Sequence, residues 1–280
     1  MKLVIDHVTL GASRLEALAG AFAANGLATE YGGPHENGVT HMSLVAFDDG
    51  SYVELIAVMR PGQPAPRWHA HIVLEGGPCA WAVRPVSVAG EAERLKARGV
   101  TVGEVTPRGR KRPDGQAVEW NLADVGDLGP GAMHPFIIED CTSRELRVPT
   151  SESVAGSELT GVGKVVLGVE DVGAASEEFQ EAYDLASPER ASAEGGQLNV
   201  AVFPGEPLIL VSPATGEGWL VDRLAKFGPT PCAFLLGSRD LAASRERSCL
   251  GEVERFGGER VAWIDGDPLL GRWMGVVDVS

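Results

Sequence analysis

Cysteine is scarce: there are four in 280 residues, at positions 79, 141, 232 and 249. None stands in a C-x-x-C pair, which excludes a zinc knuckle or a dithiol redox motif and leaves reduced, structural thiols as the expectation. Lysine is scarcer still beside arginine, 5 against 19. Acidic residues outnumber basic ones, 39 to 24, for a net charge of −15. The one basic run is Arg108 to Arg112 (RGRKR), so neither nucleic acid nor an anionic membrane surface is expected as a partner. No apolar stretch reaches the ~18–20 residues that span a bilayer. The opening MKLVIDH runs into a strand pattern without a signal-peptide core, and a cytoplasmic protein is expected. There is no G-x-G-x-x-G after a strand, no P-loop and no G-x-S-x-G elbow, so nucleotide binding and a serine-hydrolase site have no support.

What is present is repetition on an adequate apolar base, 44% of the residues. Ile5 to Leu27 and Val162 to Leu185 both read as a short strand, a turn and an amphipathic helix. DGSYVELIA (49–57) matches PGEPLILVS (204–212), and GPCAWAVR (77–84) matches TPCAFLLG (230–237). The first half thus recurs after about 155 residues, and a weaker period of about 73 lies inside each half. The expected fold is α+β, with four strand–helix–strand–strand–strand modules starting near His7, Ala80, Lys164 and Ala233. The non-periodic segment Thr142 to Gly161 is the expected boundary between domains 1–145 and 155–280. The competing architecture, one doubly wound α/β domain, would need a long helix after every strand. Residues 107–115 read as a polar loop or edge hairpin.

Paired βαβββ modules with His in a first strand and Glu in a fourth resemble the vicinal oxygen chelate superfamily, and within it the glyoxalase-like branch. The residues that carry the resemblance are Asp6-His7-Val8 with Gly11, Thr40-His41, GSYVEL (50–55), AWAVR (80–84), Arg112-Pro113-Asp114-Gly115 with Trp120, and PFIIE (135–139). They cover Ile5 to Asp140; the second half joins only through the repeat. The resemblance implies tandem glyoxalase-like cups with a metal site in the first. Mapped strand on strand, it implies His7, Glu54 and Glu139 as ligands, with Ala80 in place of a fourth. It implies a divalent ion (Mn, Fe, Zn, Ni or Mg), since one imidazole and two carboxylates suit such ions and leave positions open for substrate oxygens. The implied activity is a metal-dependent lyase or isomerase step on a small oxygen-rich metabolite, with Glu54 or Glu139 moving the proton. Extradiol ring cleavage fits less well, because Ala80 removes a second histidine. The alternative is a non-catalytic small-molecule binder whose cup holds its ligand directly, without metal. In the second half the matching positions are Lys164, Ile209, Ala233 and Asp278, which implies a degenerate copy. A monomer or homodimer is expected.

Each candidate also has a plain structural reading. His7 suits a hydrogen-bonded core histidine, and Glu139 a surface carboxylate beside Asp140. Glu54, between Val53 and Leu55, is harder to place in a core, because an unpaired buried carboxylate is costly. His41, Trp81, Arg112 and Trp120 are candidate pocket residues: His41 as a partner of the site or its fourth ligand, with structural packing as the alternative, Arg112 as a carboxylate fork against the plain reading of a solvated loop, and the two tryptophans as walls. Core packing is the competing role for the tryptophans. His69 and His71 form an H-x-H pair better explained as an inter-module loop or edge strand. His35 is expected in an exposed turn, and His134 at most on a cavity rim.

Overall fold

The computed structural model describes residues 2–112, 114–127, 129, 132–267 and 269–279, with Arg272 described by its backbone only. Pro113 of the Arg112–Gly115 motif lies outside the described residues. The first sheet contains β1 (Ile5–Gly11), β2 (Glu30–Pro34), β3 (Thr40–Ala46), β4 (Tyr52–Val58), β5 (Gly77–Val83), β6 (Thr106–Lys111), β7 (Ala117–Ala123) and β8 (Phe136–Asp140). The second contains β9 (Leu159–Gly168), β10 (Glu189–Ala193), β11 (Leu198–Val202), β12 (Leu208–Pro213), β13 (Thr230–Ser238), β14 (Glu254–Phe256), β15 (Glu259–Trp263) and β16 (Met274–Asp278). The first runs β2-β3-β4-β1-β5-β8-β7-β6, and the second repeats that order as β10-β11-β12-β9-β13-β16-β15-β14. These are the tandem cups of an α+β fold, four βαβββ modules in all. In every module the first and fourth strands pair parallel, and the modules join through antiparallel β1–β5 and β9–β13.

Each module carries its helix between first and second strands: α1 (Leu15–Ala24), α3 (Val88–Ala97), α5 (Val172–Tyr183) and α7 (Leu241–Arg247). Their buried residues recur at three- and four-residue spacing, as Leu15, Leu18 and Phe22 do on α1, which is the stripe a helix lays on a sheet. Ser87, Asp171 and Asp240 cap three of these helices through side-chain oxygens. Three further helices are connectors: α2 (His69–Val73), α4 (Arg144–Arg147) and α6 (Trp219–Phe227).

Alternation along the strands sorts the side chains. Val8 and Leu10 of β1, Val53 and Leu55 of β4, Trp81 and Val83 of β5, and Ile137 of β8 join one core with the helices. That core is continuous with the second half through Val165, Leu167, Phe179, Phe234 and Met274. Contact between the halves is tight at β5: Gly77 has φ 64°, and a Cβ there would lie 2.3 Å from the Trp273 ring. The opposite face of the first sheet carries His7, Tyr52, Glu54, Phe136 and Ile138, which line the first cup.

Candidate ligand site in the first cup

The concave face of the first sheet encloses a cavity of about 460 Å³. His7 lies on β1, Tyr52 and Glu54 on β4, Phe136 and Ile138 on β8, Trp120 and Leu122 on β7, and Arg108 and Arg110 on β6. The segment expected as a polar loop or edge hairpin is the β6–β7 hairpin, so its strand alternation turns Arg108 and Arg110 to one face.

Behind His7 lies a buried ion network. Asp6 is fully buried; Oδ1 accepts from His7 Nδ1 at 2.6 Å, and Oδ2 accepts from Arg144 at 2.6 Å and Arg147 at 2.7 Å. Asp140 receives both arginines as well. Burial alone would raise the Asp6 pKa, but the Arg147 charge, the His7 hydrogen bond and Arg144 hold it well below the usual carboxylate range. The Arg147 guanidinium also donates to Tyr52 Oη at 3.1 Å and lies 5.6 Å from the centroids of both Tyr52 and Trp120. The His7 ring stacks on Tyr52 at 4.6 Å.

Glu54 is 7% exposed. Its Oε2 accepts from Thr9 Oγ1 at 3.2 Å, and its Oε1 lies 3.4 Å from His35 Nε2. Burial pushes its pKa up, yet the His35 hydrogen bond and charge, with His7 and Thr9, bring it down to about 2. His35 in turn lies 2.8 Å from Thr40 Oγ1 through Nδ1.

Of the residues expected at the site, the structure brings His7, Glu54 and Trp120 to the cavity and places the others elsewhere. Glu139 is a correction. It lies one residue past Ile138 and so faces the other side of β8, where Oε2 accepts from Val88 N at the start of α3, 2.9 Å away. His7 pairs with both Tyr52 and Ala82, and Ala82 pairs with Phe136. Ala80 and Ala82 pair with Thr9 and His7 and share their face of the sheet, so β5 brings no donor to the cup at either position. Trp81 is fully buried in the shared core, donating to Met133 O at 3.1 Å. His41 alternates away from Thr40 and Met42 and meets Tyr31, with ring centroids 5.9 Å apart. Arg112 donates to Leu146 O and pairs with Asp114 at 3.2 Å.

The metal that the resemblance implies needs three such donors together. His7 and Glu54 remain, Glu139 is across the sheet, and among the described residues no group of three His, Cys, Asp or Glu could hold a metal ion. The donor set does not fit the implied site. His35 was expected to be exposed; it lines the cavity because the β2–β3 turn folds over it. Asp6, Arg110, Arg144 and Arg147 were missed. The i, i+4 pair Asp140–Arg144 and the i, i+3 pair Arg144–Arg147 were the available signals, hidden in a segment read as a boundary.

The glyoxalase-like domain family matches residues 5–186. The chain belongs to the glyoxalase-like domain family. With the cups described above, that places it in the vicinal oxygen chelate superfamily. The family match spans the whole first cup and ends after α5 of the second. Among solved structures, a hypothetical protein from Staphylococcus aureus matches at TM-score 0.62 and 11% identity, covering 99% of this chain and 100% of that one. A variant of 4-hydroxymandelate synthase from Streptomyces coelicolor matches at TM-score 0.60 and 13% identity, covering 99% and 92%. At these identities the likeness is one of fold. No match was found among curated proteins. Among the described residues, no helix of this glyoxalase-like chain is long and apolar enough to cross a membrane.

Proposed function

We propose that this glyoxalase-like protein binds a small organic molecule in its first cup, against His7, Glu54 and Trp120, without a metal bridge. The observation that supports it is the reversed face of Glu139 beneath a roomy cavity that keeps His7 and Glu54. About 460 Å³ is in the range of small-molecule pockets. The His7 Nδ1 bond to Asp6 leaves Nε2 for a ligand. A second reading, metal-independent proton transfer, is favoured by the 3.4 Å contact of His35 and Glu54 inside the cavity. A metal-dependent lyase or isomerase step loses support with its second carboxylate.

In this proposal the half 1–145 carries the site and 155–280 is a degenerate copy that completes the core. There Lys164 pairs with Glu259 at 2.8 Å, Asp278 pairs with Arg260, and Ile209 and Ala233 are buried apolar wall. The four cysteines are unpaired, in keeping with a reducing, cytoplasmic setting.

Metal analysis of protein purified without chelator, beside ligand-observed NMR with a metabolite set, tests the reading. Metal well below one equivalent is expected, with binding signals that weaken in Glu54→Ala. Stoichiometric metal that disappears in both His7→Ala and Glu54→Ala would restore the metal site and overturn the proposal.

A further inference from the structure

The first cup is positively lined in a protein of net charge −15. Four guanidinium groups, Arg67, Arg108, Arg110 and Arg147, face it, against the carboxylates of Glu36 and Glu54. Two of the four are already neutralised. Arg67 pairs with Asp124 at 3.0 Å, and Arg147 with Asp6 and Asp140. Glu54 accepts from Thr9 and lies against His35, and Glu36 is exposed.

Arg110 differs. It is half-buried, and its terminal nitrogens donate only to neutral carbonyls, Gly32 O at 3.1 Å and Arg147 O at 3.0 Å. Among the described residues no carboxylate forms an ion pair with it. Burial moves its pKa below the usual arginine value, and the through-space influence of Tyr52 and Glu54 offsets this only in part, so the charge lacks a direct counter-ion. Its two carbonyl bonds fix the fork in place, so an incoming anion would meet a preorganised donor. Arg108, two residues back on the same strand face, stands exposed beside it. Trp68, Trp120, Phe136 and Ile138 give the wall a flat, apolar part.

We propose that the first cup selects an anionic ligand, a flat apolar body bearing one carboxylate or phosphate group held at Arg110. The selection rests on the reading of this cup as a ligand pocket and adds the chemical class. The second cup is a built-in contrast. Its cavity of about 380 Å³ is lined by Glu194, Glu252, Glu254 and Asp265, with no Lys, Arg or His among the described lining residues. The same fold there disfavours an anion.

Ligand-observed NMR titration of the full chain with benzoate, phenyl phosphate and neutral benzyl alcohol tests this. One or both anions are expected to bind about tenfold tighter than the alcohol, the scale of a hydrogen-bonded charge contact. The preference should vanish in Arg110→Met, survive in part in Arg110→Lys, and shrink with added salt. The order of benzoate and phenyl phosphate identifies the headgroup. Circular dichroism confirms that each variant is folded. Equal affinity for alcohol and anions, or a preference that persists in a folded Arg110→Met, overturns the anion proposal and leaves the pocket reading standing. Absence of binding by all three at millimolar concentration overturns both.

Discussion

At the scale of single residues, the first cup is organised by a carboxylate that touches no solvent. Asp6 serves three partners at once: it fixes the tautomer of His7, and it anchors Arg144 and Arg147 under the cavity floor. Removing one member of such a network strands the others, which is costlier than never having built it. Asp6→Asn should therefore destabilise the protein by about 3 kcal/mol, read by urea unfolding. The loss should be smaller in an Arg147→Met background, where the stranded cation is absent, so the double-mutant cycle should show coupling. Additive losses would mean that the pair does not interact as described. The sign with pH follows from the lowered pKa. Asp6 contributes its stability above its ordinary carboxylate value of 3.8 and loses it as pH falls below that.

At the scale of elements, β8 decides which carboxylate the cup receives. Side chains alternate along a strand, so a one-residue difference in alignment exchanges the faces completely. Ile138 takes the cup position and Glu139 meets the first turn of α3, where an acceptor suits the exposed N–H groups and the positive end of the helix. Glu139→Ala is expected to cost about 1 kcal/mol of stability, a typical loss for an N-terminal helix acceptor, and to leave first-cup ligand affinity unchanged. Lost affinity in a variant of normal stability would return Glu139 to the site. The modules and their order were legible because they rest on hydrophobic periodicity, which repeats along this chain. His7 and Glu54 were legible for the same reason, as polar residues standing out in buried strands. The face of Glu139 was not, because PFIIED carries three apolar residues in a row and so no alternation to read. Trp81 shows the same limit: alternation gives it to the shared core, but GPCAWAV is apolar throughout. Arg147 escaped because its burial, 3% exposed, comes from tertiary contacts of the four-residue helix α4 with strands far away in sequence.

At the scale of the whole molecule, the two cups share one core, and a further contact between them near α2 carries a proton-sensitive group. His71 is 7% exposed and stacks on Phe227 of α6 at 4.2 Å, while its Nε2 has no hydrogen-bond partner among the described residues. Arg223 of α6 lies beside it and ties the halves by donating to Gly76 O, Pro78 O and Pro231 O at 2.6–2.8 Å. Burial first, and then the Arg223 charge, bring the His71 pKa down from 6.5 to about 3. The unfolded chain therefore binds a proton at this position between those values and the folded chain does not. Stability from this group is complete above about pH 6.5 and is lost progressively as pH falls toward 3. The loss by pH 4 should be on the order of 3 kcal/mol. Asp6 and Glu54 act lower, because their ordinary values are 3.8 and 4.5, so the window from 6.5 to 5 isolates histidine. Urea unfolding across that window should show falling stability in the native chain and a much flatter response in His71→Phe, which keeps the stacked ring without the titrating nitrogen. Because the core is continuous across both halves, both should unfold together in one transition at neutral pH. An unchanged slope in His71→Phe would assign the pH response to another histidine and sever it from the junction between the cups.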